Sequence, residues 1–462
     1  MGVDQEDRSQ EVLMKRNSNL TVLGCLLLLI SCGKGIGEKN SAPRSQNEAG
    51  IIASCTSKAQ AEQLSAKLGI SFRVINEKRK IIEYIGISMD ELKKHLPRSN
   101  FKVNKVFNEV LVEGDFNVQS YGDYPYYGAH SIQGRPSNPG RYFSHLDQVN
   151  ADRADNQGEA AVIAVIDTGV YYNHPHLSPN IKTNSNDPHG SNEDGRDNDG
   201  NGFVDDYVGW DFYNGDAYPL DDHGHGTHVA GLAASTVSGI APQAKILPIK
   251  VLGADGRGDL GTIAAGILYA IDQGADIINM SLGGEGGSQI NDEIRSMINS
   301  VKLAKEKDVL VIAAAGNGGS DGLGDCNDNA PVYPANINQD NVISVAAVDS
   351  YNGLTSYSNF GGATVDIAAP GGDSYSGGLL SAAIPSCYGP CDQSEAPYVS
   401  QMGTSMATPL VSGLAALVKT KFPDYNYKQI KEKIMNGGVK LEDLAGLIRS
   451  ESVIDVGLTL SN

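Results

Sequence analysis

At 462 residues the chain is too long for one minimal domain, and 40% hydrophobic with 20% charged residues is the make-up of a globular protein able to bury a sizeable core. A formal net charge of −19 argues against a nucleic-acid binder, whose footprint would be a basic stripe, so no nucleic-acid partner is expected. Such acidity fits export, cation binding, or both.

Residues 1–32 read as a targeting segment. Met14-Lys15-Arg16 gives a cationic start, and Leu20 to Ile30 an apolar run of signal-peptide length, too short to span a bilayer as a helix. The run ends in Leu29-Ile30-Ser31-Cys32, which resembles a bacterial lipobox, with Cys32 as the residue that would be lipidated and become the mature N-terminus. Residues 1–13 carry the wrong charge for the basic end of a signal, so translation is expected to start at Met14. A core helix with an incidental cysteine is the competing reading. It is disfavoured by the polar Gly/Lys/Ser tether that follows, assigned to residues 33–49.

Residues 50–115 alternate strand-like and helix-like pieces: IIASC, a helical AQAEQLSAKLG, FRVI, IIEYIGI, a second helix MDELKKHL, and KVNKVFNEVLVEG. This βαββαβ order predicts a small ferredoxin-like α+β domain. Residues 116–142, rich in Gly, Pro and Tyr with no sustained period, read as a linker.

Residues 143–462 change pattern. Apolar strands (AVIAVID, KILPIKVLG, ADIINMSLGG, DVLVIAAAGN) alternate with helices (TIAAGILYAIDQG and about Asp292 to Lys307). Near-continuous apolar strands separated by helices predict an α/β fold, a mostly parallel central sheet with helices on both faces. Beyond Cys25 and Cys32 the cysteines are Cys55, Cys326, Cys387 and Cys391. An exported protein can keep disulfides, and the last three allow three pairings that sequence leaves open.

Three short stretches sit at the ends of such elements. AVIAVIDTGV delivers Asp167 to the end of an apolar strand; PLDDHGHGTHVAG carries His223, His225 and His228; GTSMATP, Gly403 to Pro409, precedes the helical run LVSGLAALVK. An Asp at a strand end, with a His and a Ser at helix starts, is what nucleophilic acyl transfer needs. A serine hydroxyl is a poor nucleophile until a neutral imidazole takes its proton, and a buried carboxylate must hold that imidazole in the right tautomer. The three histidines also form a fair metal pattern, but Gly226-Thr227 stands where a metallohydrolase places a carboxylate between its last two ligands. On a helix starting at His225, His228 falls one turn along and reads as a packed residue, and His223 as a loop residue at a cleft rim.

The core of the acidic stretch between Asp187 and Asp222, Asp197-Asn-Asp-Gly-Asn-Gly-Phe-Val-Asp-Asp206, offers oxygen ligands at alternate positions with glycines that permit tight turns, which is Ca²⁺ chemistry. Asp197, Asp199, Asn201, Asp205 and Asp206 are the expected ligands. Val208 stands where an EF-hand carries its bidentate Glu, and no helix-loop-helix pattern flanks the segment.

Taken together, DTGV, HGTHVAG and GTSMATP resemble the three signature blocks of the subtilisin-like serine proteases, over about Phe143 to the C-terminus. The resemblance implies that Asp167 orients, His225 is general base and acid, and Ser405 is the nucleophile. It makes Asn317, which ends AAAGN, the side-chain donor to the oxyanion, and Ser281, Leu282, Gly283 and Gly284, with Gly316, the backbone against which an extended peptide binds. It also implies structural calcium in the acidic insert, polypeptide substrates, a monomer, and a ferredoxin-like propeptide that assists folding and blocks the cleft until cut away. The cut is expected between Glu113 and Tyr142. A lipid anchor upstream of it would tether the exported precursor to a bacterial membrane, at the periplasm or cell surface, and processing would release the protease. An inactive surface-binding protein on the same scaffold is the rival reading, against which the four intact residues Asp167, His225, Ser405 and Asn317 speak.

Overall fold

The structure, a computed structural model, describes residues 50–53, 58–68, 71–76, 81–85, 101–103, 143–187, 194–285, 292–319, 321–375, 377–385 and 396–461. The signal with Cys32, the tether, Cys55, the second helix expected near Met89, the linker, Cys387 and Cys391 lie outside these residues.

In the N-terminal piece, β1 (Gly50–Ala53), α1 (Lys58–Leu68), β2 (Ser71–Asn76), β3 (Ile81–Ile85) and β4 (Phe101–Val103) follow the expected order. The strands form an antiparallel sheet of order β2-β3-β1-β4. The helical crossover from β1 to β2 leaves a gap that β3 fills, which is the split arrangement expected of a ferredoxin-like order.

The larger sheet has nine strands: β5 (Val162–Asp167), β6 (Trp210–Asp211), β7 (Lys245–Lys250), β8 (Ile277–Met280), β10 (Leu310–Ala314), β12 (Val342–Val348), β13 (Ile367–Pro370), β16 (Val439–Lys440) and β17 (Ser452–Val453). Their order is β16-β17-β13-β12-β10-β8-β5-β7-β6, parallel except at the β16/β17 edge. Alternate residues serve opposite faces. Ile163 and Val165 of β5 join one buried cluster with the helices α3 (His225–Ala234), α6 (Thr404–Lys421), α7 (Tyr427–Asn436) and α8 (Val456–Leu460). Ala164 and Ile166 join the other, under α4 (Leu260–Asp272) and α5 (Asp292–Glu306). Burial on both faces is why these strands are apolar at nearly every position. A short α2 (Ser144–Gln148) opens the domain.

After β5 the chain runs to one side of that strand, out to the edge strand β6 and back through β7, and then crosses to the other side through β8, β10 and β12. Strand order therefore reverses between β5 and β8, and the crevice beyond the carboxyl ends of strands at such a reversal is where open α/β sheets bind ligands. Asp167 ends one of these strands and Ser281 directly follows the other.

One boundary differs from expectation. GTSMATP does not precede the helix; α6 already begins at Thr404 and carries Pro409 inside it. An interior proline removes the N–H that would serve the carbonyl four residues earlier, which here is Ser405. The Ser281 hydroxyl donates to that carbonyl at 2.8 Å and fills the gap.

Candidate active site

His225 Nδ1 lies 2.7 Å from Oδ1 of the fully buried Asp167, while the imidazole keeps 21% of its side-chain surface exposed. One edge of the ring is fixed in the protein and the other faces the crevice. Three things place it there. The strand end is pinned because the Thr168 N–H donates to Asp167 Oδ1 at 2.7 Å. The helix start is drawn against the strand because Gly226 has no side chain: a Cβ there would stand 2.1 Å from the Gly169 carbonyl oxygen and 3.1 Å from Asp167 Cβ. The turn before the helix closes on Asp221, whose Oδ1 accepts from Thr168 Oγ1 (2.8 Å) and the N–H groups of His223 (3.0 Å) and Gly224 (2.8 Å). Its Oδ2 accepts from the N–H and hydroxyl of Thr227 at 2.8 and 2.5 Å. Burial disfavours the imidazolium, but the charge and hydrogen bond of Asp167, with a contribution from Asp221, outweigh it and raise the His225 pKa above its ordinary value.

Ser405 is the second residue of α6. Its hydroxyl donates to the Ser281 carbonyl oxygen at 3.1 Å, while the Ser281 hydroxyl serves the Ser405 carbonyl. Behind this reciprocal pair, Ser412 donates to Asn279 Oδ1 (2.8 Å) and Asn279 Nδ2 donates to Ser281 Oγ (3.0 Å). The buried amide thus joins α6 to the end of β8. In the described hydrogen bonds the Ser405 hydroxyl reaches Ser281 and not the imidazole; catalytic hydrogen bonds in substrate-free enzymes are often long or unmade.

Asn317 follows β10. Its Oδ1 accepts from the backbone N–H and the hydroxyl of Thr404, at 2.8 and 2.9 Å. A backbone N–H can only donate, so the acceptor end of the amide is fixed and Nδ2 is the end left free. Nδ2 sits beside Gly403, 3.4 Å from where a Cβ on that residue would be. Ser405 lies in the first helical turn, where backbone N–H groups lack intrahelical partners. The Asn317 amide and these donors form a neighbourhood suited to a developing oxyanion.

Of the expected substrate-binding backbone, Leu282 is partly buried and Gly283 and Gly284 are exposed. Gly284–Glu285 (β9) pairs antiparallel with Val332–Tyr333 (β11), so the last residue of the segment already belongs to a small two-stranded sheet, while Ser281, Leu282 and Gly283 are outside any strand. Gly316 precedes Asn317 with a left-handed φ of 112°. Cys326 is buried and disulfide-bonded to a residue outside those described.

The other two histidines of the opening cluster part company. His228 is fully buried, and its Nε2 lies 2.9 and 3.1 Å from the carbonyl oxygens of Leu379 and Val399. It clamps the hairpin of β14 (Leu379–Ala382) and β15 (Tyr398–Gln401), and burial lowers its pKa to about 3. His223 is exposed and meets the His225 ring edge-on at 6.3 Å between centroids. With the three rings in such different surroundings, they do not converge on one metal.

In the acidic insert, the carboxylates of Asp187, Asp199 and Asp206 offer oxygens all within 4.8 Å of one another. Asp199 and Asp206 belong to the expected ligand set; Asp187 does not. Asp197 is occupied by the backbone N–H groups of Gly200, Asn201 and Gly202, and Asp205 by those of Asp194 and Gly195. Asn201 turns its amide to Asp199 and Asp206 as a donor. Asp206 also accepts from Tyr269 (2.6 Å), Asn184 (2.7 Å) and Gln273 (3.2 Å). Asp187 is fully buried, and its Oδ2 has no hydrogen-bond partner among the described residues. An orphaned buried carboxylate oxygen among two further carboxylates fits a hard cation bound through oxygen.

Sequence reasoning missed Asp221, Thr404 and Asp187. An Asp four residues before a His at a helix start is a capping-type signal that could have flagged Asp221. The other two depend on chain segments meeting in space.

A doubly covered, mostly parallel sheet with an Asp–His pair and a helix-borne serine at its strand-order reversal defines a hydrolase of the nucleophilic-serine type. The subtilase family profile matches residues 158–447. Thermitase from Thermoactinomyces vulgaris is 36% identical over 271 residues, covering 57% of this chain and 77% of that protein. Subtilisin DY from Bacillus licheniformis is 38% identical over 240 residues, covering 51% of this chain and 77% of that protein. Among solved structures, a protease from Pseudoalteromonas arctica matches with a TM-score of 0.51 and 27% identity, over 68% of this chain and 93% of that one. The chain belongs to the subtilase family and is a subtilisin-like serine endopeptidase.

Proposed function

We propose that the enzyme cleaves peptide bonds through Asp167, His225 and Ser405, by way of an acyl-enzyme. The observation that carries this reading is the 2.7 Å bond between His225 Nδ1 and buried Asp167, with the rest of the ring turned to the crevice. The Ser405 hydroxyl leaves the Ser281 carbonyl and gives its proton to His225 Nε2 as its oxygen attacks the scissile carbonyl carbon. Asp167 stabilises the imidazolium without taking its proton. The tetrahedral oxyanion accepts from Asn317 Nδ2 and the Ser405 N–H. Collapse expels the amine, which takes the proton from His225; water, activated by the same imidazole, then releases the acid and restores the serine. An extended peptide pairing with the Ser281–Gly284 backbone presents the bond.

Calcium in the insert would be held by Asp187, Asp199 and Asp206, and it would supply counter-charge that keeps these carboxylates together. The role is structural: no step of the hydrolysis runs through it.

The precursor reading rests on the order of parts. A signal ending at Cys32, a ferredoxin-like piece over residues 50–115 and a linker upstream of the catalytic domain fit an exported, lipid-anchored zymogen that cuts itself between Glu113 and Tyr142 and frees the protease. N-terminal sequencing of the active species checks this: a start between Glu113 and Tyr142 and lipid only on the released fragment is expected, and lipid on the active species contradicts it. For the chemistry, wild type should digest an unfolded polypeptide and Ser405→Ala should not. Digestion by Ser405→Ala that a chelator abolishes would favour metal hydrolysis instead.

A further inference from the structure

The segment that carries Asn317 has four polar backbone groups around it, each taken by a side chain or backbone from elsewhere. The Ala315 carbonyl accepts from Asn327 Nδ2 at 2.8 Å, and the Gly316 carbonyl accepts from the Asn359 N–H at 2.9 Å. The Gly316 N–H donates to Thr404 Oγ1 at 3.2 Å, and the Gly318 N–H to Asn359 Oδ1 at 2.7 Å. Asn359 and Asn327 are themselves joined, Nδ2 of the first donating to Oδ1 of the second at 2.9 Å, and Asn359 Oδ1 accepts a second bond from the Asp325 N–H at 2.9 Å. Both asparagines are almost fully buried, at 2% and 1% exposed.

Gly316 makes the arrangement tight. Its φ of 112° lies in the left-handed region, and a Cβ there would stand 2.6 Å from Asn359 Nδ2, so the loop wraps directly onto the asparagine amide. Thr404 holds the side-chain oxygen of Asn317 and the Gly316 N–H; the other three backbone groups, the Ala315 and Gly316 carbonyls and the Gly318 N–H, are held from beneath by the asparagine pair.

From this geometry we infer that Asn359, acting with Asn327, is a positioning residue that sets Asn317 Nδ2 at the distance from the reacting carbonyl at which it can donate to the oxyanion. The inference rests on the proposed role of Asn317. Neither asparagine touches the substrate. Each peptide flanking Asn317 is held by a short, directional bond, and a donor misplaced by about 1 Å can cost a reaction on the order of a hundredfold. An interaction used only in the transition state appears in kcat and not in KM.

The test is a double-mutant cycle on the full-length protein, with active sites counted by titration to completion with a serine-directed fluorophosphonate. Asn359→Ala removes the side-chain bonds to the Gly318 and Asp325 N–H groups and to Asn327, and keeps the backbone N–H bond to the Gly316 carbonyl. Asn359→Asp keeps both accepted bonds, loses the donation to Asn327 and brings a carboxylate oxygen against Asn327 Oδ1, and it serves as the second variant if the alanine variant does not fold. Either variant should lower kcat per titrated site by about ten- to a hundredfold with KM within about twofold. Asn317→Ala combined with the Asn359 change should be no slower than Asn317→Ala alone, because the second residue acts through the first. Losses that multiply in the double variant overturn the inference, as does a loss confined to KM or to the number of titratable sites. An Asn317→Ala enzyme with unchanged kcat would overturn the oxyanion reading itself, an outcome separate from these.

Discussion

Asp221 stands at the end of the acidic insert in the sequence and has the work of an anchor in the structure. Five hydrogen bonds converge on its carboxylate from the turn and first helical turn that present His225 and from the strand end beside Asp167. Replacing it by Ala leaves buried donors without acceptors, each worth about 1–3 kcal/mol. Asp221→Ala should therefore lose stability of that order in chemical denaturation, together with activity. The charge acts as well. His225 titrates above its ordinary value because Asp167, and in smaller part Asp221, outweigh the effect of burial. Catalysis needs the neutral imidazole, so activity is lost as pH falls through this raised pKa. The acid limb of kcat/KM should have its midpoint above 6.5, and Asp221→Asn should move it down; a wild-type midpoint at or below 6.5 contradicts the assignment.

At the scale of elements, α6 and α3 cross at Gly413. A Cβ there would lie 2.7 Å from Ile240 Cβ and 2.9 Å from the Ala233 carbonyl oxygen. Gly413→Ala should cost about 1–3 kcal/mol in a denaturant titration, as overpacking does, while leaving KM unchanged. Much at this scale was legible beforehand. AVIAVID, KILPIKVLG and DVLVIAAAGN read as strands because both faces of the sheet are covered, and HGTHVAG read as a helix start that the structure places at His225. The start of α6 was not legible, because Pro409 signals a break in any local reading. The helix survives through the Ser281 hydroxyl, which lies 124 residues away in sequence from the carbonyl it serves. Two-residue strands such as β9 and β11 are likewise invisible, being fixed by their pairing and not by any period.

For the whole molecule, long-range placement decides what composition could only suggest. The acidic insert was readable as a cation site, yet Asp187 joins Asp199 and Asp206 through ties no local reading shows: Asn184 bonds Asp206 and Asp199, and the Asn198 N–H donates to Asp187 itself. Chelation of calcium should lower Tm, with Asp187→Asn lowering it in advance and removing the chelator's effect; identical Tm values with and without chelator would contradict the calcium reading. Acid should also destabilise the protein. Burial lowers His145 and His174 to about 4 and His228 to about 3. The unfolded chain takes up their protons near pH 6.5 and the folded one does not, so stability is intact above that pH and falls as pH drops towards 4. Each residue contributes on the order of 3 kcal/mol over that span, so denaturant midpoints should fall steeply between pH 6.5 and 4. The central claim is that Ser405 is the nucleophile of an intact acyl-transfer site. Mass mapping of a fluorophosphonate adduct on the folded protein tests it most directly: the label should sit on Ser405 and vanish in Ser405→Ala, whereas a wild type that stays unlabelled, or a label that persists in the variant, would contradict the account.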